Sequence, residues 1–172
     1  MNAENGQIHD YHFQKILPLE QVKQSITKQD YSEFGKQDLL KMKVGWEIAN
    51  RVKDGETLGL GSGTTSEAAI RAIGMRLANQ EITDIKGVAT SRKLADLAGK
   101  LGLETMALET VESVNWGFDG ADEVEAATDS LGKISGFRLI KGGGGAQTIE
   151  RKLALKCQAW VVIVDESKLV DK

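Results

Sequence analysis

The sequence predicts a layered α/β fold of the Rossmann-like type, with a mainly parallel sheet flanked by helices. From residue 36 onward, short apolar runs alternate with stripes of apolar residues at helical spacing. Glycine-rich turns separate the two kinds of segment. The last run, Trp160–Asp165, is apolar at consecutive positions, which is typical of a strand buried on both faces. Strands that alternate with helices indicate a mainly parallel sheet.

Length and composition restrict the classes of protein. The chain has 172 residues, enough for one core, with 41% hydrophobic and 27% charged residues. The net charge of -3 disfavours nucleic acid as a partner, and Cys157 as the only cysteine excludes an intramolecular disulfide. Neither a long apolar stretch nor a signal pattern is present, so we expect no membrane partner and a cytoplasmic location.

The first 35 residues differ from the rest because they lack periodicity and contain the only proline and both histidines. We expect an N-terminal arm at 1–35 and an α/β domain at 36–172. In a helix, His9 and His12 would reach one metal ion, but nothing nearby completes a ligand set. The sequence therefore predicts no metal site in the arm.

The elements of the domain follow from the apolar pattern in chain order. A helix is predicted where apolar residues recur every fourth position, at Leu40, Val44, Ile48 and Val52. A strand at 57–60 precedes a second stripe, at Ala69, Ile70, Ile73 and Leu77. Next come predicted strands near Ile85–Ala89, Glu104–Leu108 and Asn115–Asp119, and a helix near Arg92–Leu101. A polar hairpin-like stretch, Glu125–Gly136, precedes a strand, Phe137–Lys141, and a helix, Gln147–Cys157.

The first cluster of candidate site residues is Gly61-Ser62-Gly63-Thr64-Thr65, between a predicted strand and a predicted helix. Backbone N–H groups at a helix start and small hydroxyl side chains can close around an anion, and a phosphate fits such a loop. The loop lacks the lysine of a P-loop and the third glycine of a dinucleotide fingerprint, so neither ATP nor NAD is indicated. A tight turn with a helix cap is the alternative.

The second cluster is Asp119-Gly120-Ala121-Asp122-Glu123, at the end of a predicted strand. Carboxylates at a strand's end can hydrogen-bond sugar hydroxyls or exchange protons with them. An acidic turn, a helix cap and a Mg²⁺ site are the alternatives.

The third cluster is Lys141 followed by the four glycines 142–145, with Glu150 in the first turns of the next predicted helix. Four consecutive glycines are costly in conformational entropy, so this loop indicates a backbone that approaches a ligand closely. Lys141 would bring a positive charge, and Glu150 a carboxylate near the exposed amides of a helix start. A flexible linker is the alternative.

Taken together, the GSGTT loop, the DGADE turn, the KGGGG run with Glu150 and the closing VDESK resemble ribose-5-phosphate isomerases of type A, over residues of about 36–172. The resemblance implies interconversion of D-ribose 5-phosphate and D-ribulose 5-phosphate in the non-oxidative branch of the pentose phosphate pathway. It also implies a sugar phosphate as the partner, no metal or organic cofactor, and a homo-oligomer at full family length.

The resemblance also implies roles for individual residues. Glu150 matches the family's general base, Lys141 the lysine that stabilises developing negative charge, and Asp119 and Asp122 the paired aspartates that handle hydroxyl protons and ring opening. The matching substrate-binding positions are Lys41, Ser62, Gly63, Thr64, Thr65, Gly142, Gly143 and Lys168.

The chain departs from the family at its C-terminal end. Family members normally continue for several dozen residues past the strand that corresponds to Trp160–Asp165. We therefore expect an incomplete catalytic portion, either a fragment or a shortened variant with reduced activity. Two alternatives stay open, a non-catalytic phosphosugar-binding sensor and an inactive truncated isomerase. A sensor has little need for both Glu150 and Lys141, so their presence favours the enzyme.

Overall fold

A computed structural model describes residues 36–171. The predicted arm 1–35, with His9 and His12, lies outside the described residues. The helices are α1 (Lys36–Arg51), α2 (Gly63–Ala78), α3 (Arg92–Lys100) and α4 (Gln147–Lys156). The strands are β1 (Thr57–Leu60), β2 (Lys86–Ala89), β3 (Glu104–Met106), β4 (Trp116–Asp119), β5 (Glu123–Thr128), β6 (Ile134–Ile140) and β7 (Trp160–Val162). Each predicted helix and strand is present, with ends shifted by a few residues.

Five strands form one sheet in the order β3-β2-β1-β4-β7, and every neighbouring pair is parallel. The predicted parallel α/β architecture is therefore confirmed. From β1 the chain adds β2 and β3 on one side, then β4 and β7 on the other side. The strand order thus reverses between β1 and β4, and ligands of such sheets bind in the crevice beyond the carboxyl ends of the strands at this point.

The predicted hairpin-like stretch is confirmed as a two-stranded antiparallel sheet of β5 and β6. Its strands are longer than predicted, because pairing extends from Glu123 opposite Ile140 to Thr128 opposite Ile134. The hairpin also contacts the end of the described chain, where Val170 N donates to Val124 O at 2.9 Å.

The core lies between the sheet and helices α1 and α2, where the predicted apolar stripes are buried. Ile48 of α1 and Ile70 and Ile73 of α2 are at most 2% exposed. The two helices pack closely because α1 carries Gly45, where an added Cβ would lie 2.8 Å from the Ala68 carbonyl carbon. Only two residues separate the end of β1 from the start of α2.

The prediction of a fully buried strand over Trp160–Asp165 is wrong. β7 ends at Val162, and all three of its residues are only partly buried. The physical reason is its position at the sheet edge, where β4 is its one neighbour among the described strands. Asp165 has left the strand and caps a short 3₁₀ turn, Glu166–Lys168, by accepting a hydrogen bond from Ser167 N at 2.9 Å.

Candidate active site

The candidate active site begins where β1 and β4 end side by side. Gly61 N donates to Phe118 O at 2.8 Å, which continues the strand pairing one residue past β1. A Cβ on Gly61 would overlap the Phe118 carbonyl oxygen and the Asp119 side chain, so this close approach requires glycine. As a result, Ser62 and Asp119 meet, and Ser62 N donates to Asp119 Oδ1 at 2.9 Å.

Asp119 is a buried carboxylate with a charged partner. Its residue is 1% exposed, and its Oδ2 lies 2.8 Å from Lys141 Nζ. Its Oδ1 also accepts from Gly120 N at 2.8 Å, while Lys141 Nζ donates to Gly120 O. Burial raises the pKa of the Asp119 carboxyl above its ordinary value, and the Lys141 ammonium opposes this rise.

Glu150 completes a cluster of three charged side chains. It lies in the first turn of α4 and is 5% exposed. Its Oε1 accepts a hydrogen bond from Ser62 Oγ at 2.6 Å. Its Oε2 lies 3.5 Å from Lys141 Nζ and accepts no hydrogen bond from any described residue. One carboxylate oxygen is therefore hydrogen-bonded, and the other is a buried oxygen beside the Lys141 ammonium that has no hydrogen-bond donor among residues 36–171.

The position of Glu150 depends on how α4 packs against the sheet. Leu153 and Cys157 of this helical segment lie over Gly59 and Gly117, where added Cβ atoms would crowd Cys157 Sγ at 3.0 and 2.9 Å. Leu153 is fully buried there. Burial also raises the pKa of the Cys157 thiol to about 12, which fits a thiol packed against the two glycines.

Lys141 directly follows β6, so a third part of the chain contributes to the cluster. Gly142 follows it with φ +104°, a conformation that favours glycine, and Gly145 N donates back to Gly142 O at 2.9 Å. The glycine run is tied to the acidic turn, because Gly143 N donates to Asp122 Oδ2 at 3.0 Å. Asp122 is exposed and lies beside the run, whereas Asp119 is paired with Lys141.

The predicted phosphate loop forms the start of α2. The helix begins at Gly63, which has φ +89°, and Ser62 is the N-cap residue. The Ser62 side chain makes no capping hydrogen bond with the described helix. The first-turn amides lack partners within a helix, so the amides of 63–65 stay available to an anion. Thr64 is exposed and Thr65 is half-buried.

The two outlying lysines, Lys41 and Lys168, lie apart from the charged cluster. Within residues 36–171, no hydrogen bond or ion pair joins either lysine to Lys141, Asp119 or Glu150. Lys41 Nζ lies 3.9 Å from Asp38 Oδ1, and both lysines also act on the carboxylate of Asp165. The Ser167 hydroxyl and amide hold the pKa of Asp165 below its ordinary value, and the charges of Lys168 and Lys41 add to that effect. The fold thus brings these two lysines into one region.

Sequence reasoning missed two residues that build the site. Gly61 was part of the first cluster but not one of the predicted site residues, although a glycine directly after a buried strand signals close backbone approach. Gly120 supplies the carbonyl that accepts from Lys141, and its place in the DGADE turn carries no signal for that contact.

Over residues 36–171, no group of three or more His, Cys, Asp or Glu side chains is placed to hold a metal ion. None of the helices described above has the length and apolar character that crossing a membrane would need.

The sheet order and the charged cluster beyond β1 and β4 define a doubly wound α/β protein with a polar site at its switch point. Comparison with known families makes the assignment specific. The chain belongs to the ribose 5-phosphate isomerase A (phosphoriboisomerase A) family, whose model matches residues 86–172.

Individual relatives agree with this assignment. The ribose-5-phosphate isomerase A of Synechococcus sp. (strain CC9605) is 39% identical over 136 residues, which are 79% of this chain and 53% of the relative. That of Trichodesmium erythraeum (strain IMS101) is 40% identical over 134 residues, 78% of this chain and 53% of the relative. The chain spans about half the length of the curated relatives it matches.

Solved structures show the same fold. Ribose 5-phosphate isomerase A from Methanocaldococcus jannaschii matches with a TM-score of 0.69 and 40% identity, covering 80% of this chain and 56% of that one. A D-ribose-5-phosphate isomerase in complex with phospho-erythronic acid matches with a TM-score of 0.69 and 33% identity. The match covers 80% of this chain and 56% of that one.

Proposed function

We propose that this chain carries the catalytic centre of an aldose–ketose isomerase that interconverts D-ribose 5-phosphate and D-ribulose 5-phosphate. The observation that carries the proposal is the carboxylate of Glu150, which is buried beside the Lys141 ammonium. Its Oε2 accepts no hydrogen bond from the described residues and lies 3.5 Å from Lys141 Nζ. A base that takes a proton from carbon needs an available oxygen, and the charge that develops on the substrate needs a nearby cation.

The proposed reaction moves the carbonyl of the open-chain sugar from C1 to C2. Glu150 removes the proton from C2, and the electron pair of that C–H bond forms a double bond between C1 and C2. The carbonyl electrons pass to O1, where Lys141 stabilises the negative charge of the enediolate. Glu150 then returns the proton to C1, while O2 loses its hydroxyl proton and O1 gains one.

Asp119 and Asp122 are assigned to the movement of hydroxyl protons. The raised pKa of Asp119 supports this role, because its carboxyl keeps a proton to a higher pH than an ordinary aspartate does. Asp122 is exposed beside the glycine run, where it can reach a sugar hydroxyl during ring opening.

The substrate phosphate is assigned to the start of α2. Gly63, Thr64 and Thr65 offer backbone amides and two hydroxyls there, and the positive end of the helix favours an anion. Lys41 and Lys168 add positive charge from one region of the surface, and Gly142 and Gly143 are assigned to the sugar end, where the Gly143 amide donates to Asp122. The related isomerase solved with phospho-erythronic acid supports a phosphorylated ligand.

Turnover by the 172-residue chain tests the proposal. The assay couples ribulose 5-phosphate formation to a second enzyme, and calorimetry measures ribose 5-phosphate binding separately. In Glu150→Gln we expect kcat to fall by ~10²–10⁴, the range for losing a proton-transfer group, with sugar-phosphate affinity within about twofold. Glu112→Gln, an exposed glutamate outside the cluster, is the matched control and keeps full activity.

Three outcomes separate the alternatives. Turnover that depends on Glu150 upholds the isomerase. Ribose 5-phosphate binding without any turnover would support a phosphosugar sensor and contradict the proposal. Full turnover in Glu150→Gln would leave an isomerase whose base lies elsewhere.

A further inference from the structure

We propose that Ser62 is a positioning residue for Glu150, a role that rests on the proposed function and differs from phosphate binding. Its hydroxyl donates to Glu150 Oε1 at 2.6 Å and joins residues 88 positions apart in the chain. This is the one hydrogen bond to the Glu150 carboxylate among the described residues. Ser62 therefore sets which oxygen of Glu150 is hydrogen-bonded and which oxygen is left beside Lys141.

The Ser62 backbone is itself rigidly placed. Its N–H donates to Asp119 Oδ1 at 2.9 Å, and the preceding Gly61 N–H donates to Phe118 O at 2.8 Å. Both bonds anchor the loop to the end of β4, which is part of the buried sheet. A hydroxyl carried by an anchored backbone holds its partner more accurately than one on a free loop does.

The hydroxyl also decides how Glu150 shares the Lys141 ammonium. Lys141 Nζ lies 2.8 Å from Asp119 Oδ2 and 3.5 Å from Glu150 Oε2. The Ser62 hydroxyl occupies Oε1 of Glu150 at 2.6 Å, so only Oε2 is left to face Lys141. Without it, both oxygens of Glu150 are free to turn toward Lys141. A closer pair would take the base away from the substrate and neutralise the cation that stabilises the enediolate.

The same contacts argue against a phosphate role for the Ser62 side chain. A serine hydroxyl can donate one hydrogen bond, and the hydroxyl of Ser62 donates it to Glu150. The Ser62 N–H is likewise engaged by Asp119. A phosphate dianion at Ser62 would be repelled by the carboxylates of Asp119 and Glu150, which both contact Ser62. In the described contacts, no carboxylate is bonded to the residues 63–65.

Three variants of the 172-residue chain test this role by kinetics and by binding of inorganic phosphate. In Ser62→Ala we expect kcat to fall about tenfold to hundredfold, as for a misplaced catalytic group, with KM and the phosphate Kd within about twofold. Ser62→Thr restores a hydroxyl and most of kcat. Ser135→Ala removes a hydroxyl that donates to Ala127 O at 3.2 Å in the hairpin, and it leaves every constant unchanged.

Crystal structures of the chain and of Ser62→Ala give a readout that needs no turnover. In the unsubstituted chain we expect the Glu150 carboxylate to accept the hydrogen bond from the Ser62 hydroxyl. In Ser62→Ala we expect this carboxylate to shift to a different position. If Ser62→Ala kept kcat and instead weakened phosphate binding, or if Glu150 did not move, the positioning role would be overturned. If the unsubstituted chain had no turnover but Glu150 moved as expected, the proposed function would fail and the positioning role would stand.

Discussion

Lys141 and Asp119 form an ion pair inside the protein, with 2.8 Å between Nζ and Oδ2 and side chains that are 19% and 2% exposed. The same ammonium lies 3.5 Å from Glu150 Oε2. One cation thus serves two carboxylates in a region that is largely shielded from water. Removing one member of such a group has consequences that differ from those of breaking a surface pair.

The first prediction concerns the loss of Lys141. In Lys141→Met, two buried carboxylates remain without their cation, so we expect the free energy of unfolding at neutral pH to fall by about 3 kcal/mol. Urea denaturation measures the change. Adding Asp119→Asn removes one of the stranded charges and recovers part of the loss. An unchanged stability in Lys141→Met would mean that solvent reaches the cluster and screens it.

The second prediction concerns Gly61. In Gly61→Ala the new methyl group overlaps the Phe118 carbonyl oxygen and Asp119, so β1 and β4 must separate at their ends. We expect the free energy of unfolding to fall by about 3 kcal/mol, the upper end of the typical range for overpacking.

Gly99→Ala is the matched control for Gly61→Ala. An added Cβ at Gly99, in α3, meets nothing within 4 Å. We expect this control to raise stability by roughly 0.5–1 kcal/mol, the helix preference of alanine over glycine. Equal effects of the two substitutions in thermal or urea denaturation would show that close approach at Gly61 is unimportant.

The third prediction is a pH dependence from Asp119. Its pKa is raised above 3.8 by burial, so the folded chain holds the proton more tightly than the unfolded chain. The stability that Asp119 contributes is therefore largest below pH 3.8 and is lost as pH rises through the raised pKa.

Comparison with Asp119→Asn isolates this contribution. The free energy of unfolding of the unsubstituted chain minus that of Asp119→Asn should decrease as pH rises from about 4, and become constant once Asp119 is ionised in both states. A difference that increased with pH would mean that pairing with Lys141 outweighs burial.

The fourth prediction concerns Cys157. Burial raises its pKa from 9.0 to about 12, so at pH 8 the thiolate fraction in the folded chain is roughly a thousandfold lower than that of an ordinary thiol. We expect reaction with a disulfide reagent to be slow in buffer and fast in denaturing urea. Equal rates in both conditions would contradict the packing of Cys157 against Gly59 and Gly117.

Much of the fold was predictable because its signals are local. The stripes of α1 and α2, the glycine turns after β1 and β6, and the acidic turn after β4 each lie within a few neighbouring residues. The parallel sheet follows from their alternation. The prediction for Trp160–Asp165 failed because an apolar run does not distinguish a central strand from an edge strand, and β7 lies at the edge of the sheet that residues 36–171 form.

The candidate site was predictable as a set of residues and not as a set of contacts. Lys141, Asp119 and Glu150 were chosen by residue type and loop position, and the structure brings all three together. The resemblance assigns Ser62 to the phosphate loop, and the structure adds a hydrogen bond from its hydroxyl to Glu150. No local pattern contains that information, because Ser62 and Glu150 meet only through the packing of α4 on the sheet.

By itself, the sequence determined the order of strands and helices and the loops that hold charged residues, because periodicity and glycine turns are properties of neighbouring residues. Only the tertiary structure decided which donor meets which acceptor. Hydrogen bonds and ion pairs depend on separations of a few ångströms, and the sheet order that puts β1 beside β4 sets those separations between Ser62, Asp119 and Glu150.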